Sequence, residues 1–583
     1  MSSLSVLQRE EEALGPWPRR LLHVPTLTSY EWQPGNVYGG VAEPEFNAIT
    51  YTWGRWRLKD HELPNVPPIR IRGVSWKIPR VRPSHFTADH LEHVLRRACQ
   101  GISKMGYWQE ATLPSVDFVW LDIACIDQRE NEPRSAAEVG RQGMIFDKAK
   151  HVIAWLGSIP ISTLDPLLSD LDDLTTSVGG LVRSKDDLQS ASAQRTLDQT
   201  YTQLTQLFRD PYFSSLWTLQ EVYLRNDTVL MSNDGVIATA PREPTAPVPK
   251  SGVRLHADVW TLIGFYETAM LAGEEPTIVP WTYENIAELM RNTGLSALAT
   301  TSALAAYTAT DHRTCIKDED RIYGIQQIFG ARVGTSTLNN PLGASYSRVQ
   351  LEIQLGEHLL RRMPVLSQLH VFTEPVPFGM AWLVSRKSSV PPDLMGAVAT
   401  RGTARQVDIN EETSLCKLSI AKVGQGTWGH FQGLYCSFSS LHQQCLEFLK
   451  SSLLGESFSR NNYLTIHLDT VPELAASPEY PGSGFMPVPR GQRQERLATW
   501  LMQSFPEDEL GVLLLGSRAA THLTAMIGLL VLCRSTSQLT YFHRIGICWW
   551  YLSYTTVGGV YLPGGQFLSG TGSPWQEKTC YFG

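Results

Sequence analysis

The sequence predicts an α/β chain, with a parallel sheet in its N-terminal third, a mainly helical segment after it, and a β-rich C-terminal region. Three observations carry this. First, near-continuous apolar runs alternate with helical spacing: "NAITYTWG" (47–54), "DFVWLDIACID" (117–127), then the helical "AAEVGRQGMIFDKA" (136–149), then "KHVIAWLG" (150–157). Apolar strands in strand–helix–strand order form a βαβ unit, whose parallel sheet is covered on both faces. Second, residues 255–362 carry helical spacing, including "VQLEIQLGEHLLRRM". Third, from residue 363 onward β-like runs such as "LYCSFSS" and "ICWWYLSYTTVGGVYL" are separated by Gly, Pro and Ser.

The elements divide the chain into an N-terminal extension (1–40), an α/β domain (41–236), a Pro-rich linker (237–254), the helical region (255–362) and the β-rich region (363–583). The linker assignment rests on the closely spaced prolines of "IATAPREPTAPVPKSG", which oppose regular structure. One apolar stretch, "AATHLTAMIGLLVLC" (519–533), is too short to cross a bilayer and reads as a buried core helix.

The 583 residues are 43% apolar and 18% charged, enough to build packed cores. The net charge of −7 argues against broad phosphate-backbone binding, so no nucleic-acid partner is expected. Nine cysteines at irregular spacing, without a CxxC pair, fit a reduced compartment rather than a disulfide framework. The N-terminus "MSSLSVLQREEEALG" lacks the layout of a signal peptide, and a cytoplasmic protein without a membrane span is the expectation.

Candidate chemistry narrows quickly. His85, His90 and His93 lie close together in sequence, with His90 and His93 one helical turn apart, but nothing fixes the remaining ligands, so no metal is assigned. No phosphate-binding loop of the GxxxxGK[ST] type occurs, and no nucleotide-driven machinery is expected. Cys125 lies near a strand end, where a nucleophile would stand, yet it has no assignable His partner and a buried thiol explains it equally well. Ligands of open α/β sheets bind beyond the C-terminal strand ends. Two groups fall there: Tyr51, Thr52, Trp53 and Gly54 after one run, and Asp122, Cys125, Asp127 and Gln128 at the other. Asp122 interrupts an apolar run, and a buried carboxylate needs a partner or a task. Loop capping by Asp122 and Gln128 explains each of them singly just as well.

Three blocks taken together resemble the fungal heterokaryon incompatibility (HET) domain: "NAITYTWG", "VWLDIACIDQ…AKHVIAWLG" and "SSLWTLQEV" (214–222). "DEDRIYGIQQIFG" (318–330) and "FHRIGICWW" (542–550) are similar to segments that follow that domain in long members. The chain departs from the family's usual residues at Asp127, commonly Asn, and at Glu138-Val139, commonly Gln-Val. HET domains in turn resemble Toll/interleukin-1 receptor (TIR) domains, which implies a flavodoxin-like sheet. Plant TIR domains carry a Ser-x-Trp-Cys-Leu-x-Glu-Leu stretch whose Glu cleaves NAD. Ser215, Trp217, Leu219 and Glu221 fall in register with it, with Thr218 in place of Cys and Val222 in place of the last Leu.

The resemblance implies a catalytic Glu221, substrate contacts from Tyr51, Trp53, Gly54, Asp122, Cys125, Asp127, Gln128 and Trp217, and NAD as substrate with no resident cofactor. Expulsion of neutral nicotinamide requires no general acid, so one ionised Glu beside the ribose would suffice. A Glu that answers the positive end of a helix dipole would produce the same motif. The functions this leaves are an NAD-consuming incompatibility effector switched on by self-association, a non-enzymatic cell-death module that recruits an incompatibility partner, and a scaffold for recognition by the C-terminal region.

Overall fold

A computed structural model describes residues 6–100, 103–105, 110–112, 115–129, 132–181, 191–225, 227–240, 248–249, 281–295, 297, 303–341, 343–391, 412–424, 426–451, 464–471, 474, 490–520, 523–535, 540–554 and 573–583. The described residues fall into two compact units, one up to Leu351 and one from Glu352 on.

The first unit is built on a six-stranded sheet. Its strands are β1 (Arg20–His23), β2 (Thr28–Glu31), β3 (Phe46–Thr50), β4 (Phe118–Trp120), β5 (Val152–Trp155) and β6 (Val229–Met231), in the order β6-β5-β3-β4-β1-β2. β6, β5, β3 and β4 are parallel neighbours, while β1 and β2 add antiparallel to the far edge. Every residue of β3, β4 and β5 is buried, as a sheet covered on both faces requires. Counted along the chain, the parallel strands lie in order 2-1-3-4. Such a doubly wound sheet has its switch point between the first and third strands, here β3 and β5.

The structure shortens two of the elements read from sequence. The run 117–127 is a strand only over 118–120, and Asp122–Cys125 is a helical turn. An apolar run of this length has no period that separates strand from helix, and the polar Asp122 starts the turn. The segment 136–149 is two helices, Pro133–Val139 and Gln142–Lys148, separated at Gly140-Arg141. The extension is not detached from the domain. β1 pairs with both β2 and β4, and buried Glu138 accepts the Arg19 N–H at 2.8 Å while facing Arg141 at 3.4 Å. Residues 239–240 and 248–249 of the Pro-rich stretch pair with each other, and the rest of that stretch past 240 lies outside the described residues.

Helices cover the sheet. Ala88–Ala98 is capped by the Thr87 hydroxyl, which accepts the His90 N–H, and it buries Leu91, Val94, Leu95 and Ala98 at helical spacing. The polar segment after β5 forms the long helices Ile161–Leu181 and Ala191–Leu207. The helix Leu216–Leu224 buries Leu216, Thr218, Leu219, Gln220, Glu221 and Val222, so it is enclosed on most of its circumference. Helices Trp281–Asn292, Ala303–Ala309 and Asp320–Tyr323 complete the unit.

In the second unit, strands Gly426–Ser437, Leu510–Ala520, Leu523–Ser535, Thr540–Tyr554 and Gln576–Phe582 pair in a ring that closes on itself. An odd number of strands closes only with an odd number of parallel contacts. Here one contact is parallel, between Thr540–Tyr554 and Gln576–Phe582. Bulges between Leu514 and Gly516, and between Leu530 and Val531, add the coiling that closure requires. Gly546 admits close approach, because a Cβ there would lie 3.0 Å from Leu468 Cα. Correcting the sequence reading, 519–533 is not a core helix: its described residues belong to two antiparallel strands with buried leucines. Arg544 and Asp469, both without solvent exposure, pair at 3.0 Å in this unit.

Candidate functional site

The site forms where β3 ends. Thr50, its last residue, is 1% exposed and turns its hydroxyl to Glu221 Oε2. Tyr212, in the turn Pro211–Ser214 ahead of helix 216–224, places its hydroxyl 3.3 Å from the same Thr50 oxygen. Three buried groups thus form a chain, Tyr212 Oη–Thr50 Oγ1–Glu221 Oε2. Glu221 lies in the second turn of its helix and no acidic residue stands in the first. Its carboxyl group is spent on the sheet, so dipole capping is not its role.

Glu221 retains 8% exposure, and burial raises its pKa to about 8, with the Thr50 hydrogen bond opposing and Asp122 adding to the rise. Asp122 sits at the end of β4, partly exposed. Its Oδ2 accepts Trp53 Nε1–H at 2.7 Å and its Oδ1 accepts the Ile123 N–H at 2.6 Å. Burial holds its pKa above the ordinary carboxylate value too, with these two donors and Tyr51 opposing the rise. The buried Tyr51 hydroxyl lies beside Asp122 without a well-formed hydrogen bond. Burial first, then Asp122 and Glu221, push its pKa well up.

Other residues singled out from sequence fall elsewhere. Gln128 donates to the carbonyls of Asp122 and Ile126 at 3.2 and 2.9 Å, a loop brace. Asp127 pairs with exposed Arg129 at 2.5 Å, which lowers its pKa. Cys125 is buried with its thiol pushed up to about 12, far from the thiolate a nucleophile needs. Trp217 hydrogen-bonds toward Asp320. Gly54 opens a short turn beneath Ile316, whose Cδ1 would lie 3.5 Å from a Cβ at 54. The structure therefore gathers Tyr51, Trp53, Asp122 and Glu221, with Gly54 next to Trp53 in the chain.

Residues 46–221 match the family model described as Heterokaryon incompatibility protein (HET). The match begins on the strand that carries Thr50 and ends on Glu221, two residues 171 positions apart that touch through their side chains. Searches of curated proteins and of solved structures returned no match.

The sequence reading of the HET segment missed several participants. Thr50 sits inside the quoted strand block, and Tyr212 only two residues before the "SSLWTLQEV" block. Asp210 (1% exposed) accepts the Ser158 N–H and hydroxyl at 2.9 and 2.6 Å and the Tyr212 N–H at 2.9 Å, which ties the loop after β5 to the turn before helix 216–224. His85 holds the Thr52 carbonyl at 2.5 Å and stacks on Trp56 with centroids 3.8 Å apart. His90 Nε2 instead meets the Asn233 carbonyl at 2.6 Å, so the sequence-adjacent histidines diverge. Among the described residues, no group of three His, Cys, Asp or Glu is placed to hold a metal ion, and no helix is long and apolar enough to cross a membrane.

Proposed function

We propose that the HET segment is a cell-death effector that hydrolyses the nicotinamide–ribose bond of NAD at a TIR-like site, acting in heterokaryon incompatibility. The observation that supports this is the placement of Glu221 beside Asp122, Tyr51 and Trp53 at the C-terminal ends of β3 and β4, next to the switch point of a 2-1-3-4 sheet. A carboxylate there faces an oxocarbenium-like ribose, and Trp53 supplies an aromatic wall. Cytoplasmic localisation, self-association through the HET segment and an incompatibility partner belong to the same reading.

The test is NAD content in cells that express the full chain or its Glu221→Ala variant. Wild type should deplete NAD and kill, and the variant should do neither. A second reading, a non-enzymatic death module acting by oligomerisation or recruitment, is favoured by the low exposure of Glu221. Death that persists in the variant with NAD intact would establish that second reading.

A further inference from the structure

The two carboxyl groups of the site have different hydrogen-bond partners. Asp122 is met on Oδ2 by the Trp53 indole N–H (2.7 Å) and on Oδ1 by the Ile123 backbone N–H (2.6 Å). Neither group can accept a proton-bearing bond in return, so both oxygens are held as acceptors, the state of a carboxylate. Glu221 is met by a hydroxyl, Thr50 Oγ1, which is in turn met by another hydroxyl, Tyr212 Oη at 3.3 Å. Hydroxyls serve as donor or acceptor, so this chain accommodates a neutral Glu221 that donates to Thr50 while Thr50 donates to Tyr212.

Exposure agrees with this division: Asp122 reaches solvent, while Thr50, Tyr212 and Glu221 are buried. The groups that act on Glu221 are Thr50 from β3 and Asp122 from the turn after β4. Tyr212 feels Glu221, Arg313 and Asp210, and Tyr51 feels both carboxyl groups and Cys125. The buried Tyr51 hydroxyl lies beside Asp122 without a well-formed partner, which leaves it a bond to offer an incoming group.

We propose that Asp122, rather than Glu221, supplies the negative charge in this site, and that Glu221 works as a neutral acid whose proton is held by Thr50 and Tyr212. The catalytic part of this rests on the NAD-hydrolysis reading above. In that reaction the ribose C1′–nitrogen bond breaks and its electron pair leaves on nicotinamide. Water oxygen then bonds to C1′, and its proton passes to Asp122 and on to solvent. Asp122 faces the developing positive charge, the neutral Glu221 carbonyl oxygen accepts a ribose hydroxyl, and Tyr51 donates to the substrate. Thr50 and Tyr212 are positioning residues.

Two readouts test the assignment on the full-length protein. The first is difference infrared spectroscopy with 13C label on Glu side chains alone, or on Asp alone, compared with Glu221→Gln and Asp122→Asn. At pH 7 the signal lost in Glu221→Gln should be that of a protonated carboxyl. The Asp-labelled wild type should show none at this site, which removes dependence on folding of the Asp122 variant. A carboxylate signal for Glu221 at pH 7, or a protonated Asp122, overturns the proposal whether or not NAD is cleaved. The second readout is NAD hydrolysis by the two conservative variants, each compared with wild type at pH 7. Asp122→Asn then loses about 100-fold or more, and Glu221→Gln about tenfold or less. A larger loss in Glu221→Gln than in Asp122→Asn would return the charge to Glu221. Absence of any NAD cleavage would overturn the NAD reading alone, and the infrared result would still decide the charge.

Discussion

Glu221 shows how one residue's chemistry is set by its surroundings. An exposed glutamate ionises near 4.5, whereas burial beside Asp122 moves Glu221 to about 8. Below 4.5 the folded and unfolded chains both hold the proton and stability is intact. Between 4.5 and about 8 the unfolded chain releases it while the folded chain keeps it, so stability falls as pH rises through that window. Glu221→Gln removes this dependence. Denaturant melts should show near-equal stability of variant and wild type at about pH 4, and a gain of about 2–4 kcal/mol for the variant at about pH 8. Equal stability at both pH values would show that Glu221 ionises normally. The sequence marked Glu221 through its register with a known motif, but not this shift. Its causes are burial, which packing sets, and Asp122, on another strand end, while Thr50, far away in the chain, opposes it.

Helix 216–224 depends on a residue that no local pattern reveals. Arg313, 2% exposed, donates from Nη1 to the Ser215 carbonyl at 2.6 Å, to the Tyr212 carbonyl at 3.4 Å and to Thr218 Oγ1 at 3.2 Å, and from Nε to the Thr293 carbonyl at 3.0 Å. These partners are oxygens of neutral groups, and burial accordingly lowers its pKa to about 9. Thr314 adds a backbone bond to the Ser214 carbonyl at 2.8 Å. The segment 313–314 therefore clamps the start of the helix that carries Glu221. Arg313→Ala should cost about 3–5 kcal/mol in urea unfolding, because several buried carbonyls lose their donor. It should also speed amide exchange across 212–224, and unchanged protection there would refute the clamp. The strands of the βαβ unit were legible as apolar runs, whereas short helical turns inside such runs were not, because four residues carry too little period to separate the two.

At the scale of the whole molecule, the second unit is a closed ring of strands pinned by a buried ion pair. Asp469 accepts Arg544 Nε–H at 3.0 Å and the Phe372 N–H at 2.8 Å, and Arg544 Nη1 donates to Gln368 at 2.8 Å. Asp469→Asn leaves Arg544 charged and underpaired in the interior, at a cost of about 3–5 kcal/mol. The double variant Asp469→Leu with Arg544→Met should lose less than Asp469→Asn alone. Hydrogen exchange over 464–468 and 540–554 would read both, and a double loss equal to or above the single would show that the pair is not the pin. The sequence carried β-like runs here, but the ring closure is set by pairings such as Tyr435 with Leu513 that join distant strands.

The sequence by itself determined the α/β character of the first unit, the strand ends that build the site, and the HET segment with its Glu221. Hydrophobic period and short motifs record how each element meets its own neighbours, and those suffice for such conclusions. Tertiary structure decided which side chains meet and how deeply each is buried. Thr50 and Glu221 stand 171 positions apart, and Trp53 and Asp122 stand 69 apart. The packing of helix 216–224 against the end of β3 brings Thr50 and Glu221 into contact and buries Glu221, which lifts its pKa, whereas the pairing of β3 with β4 brings Trp53 to Asp122.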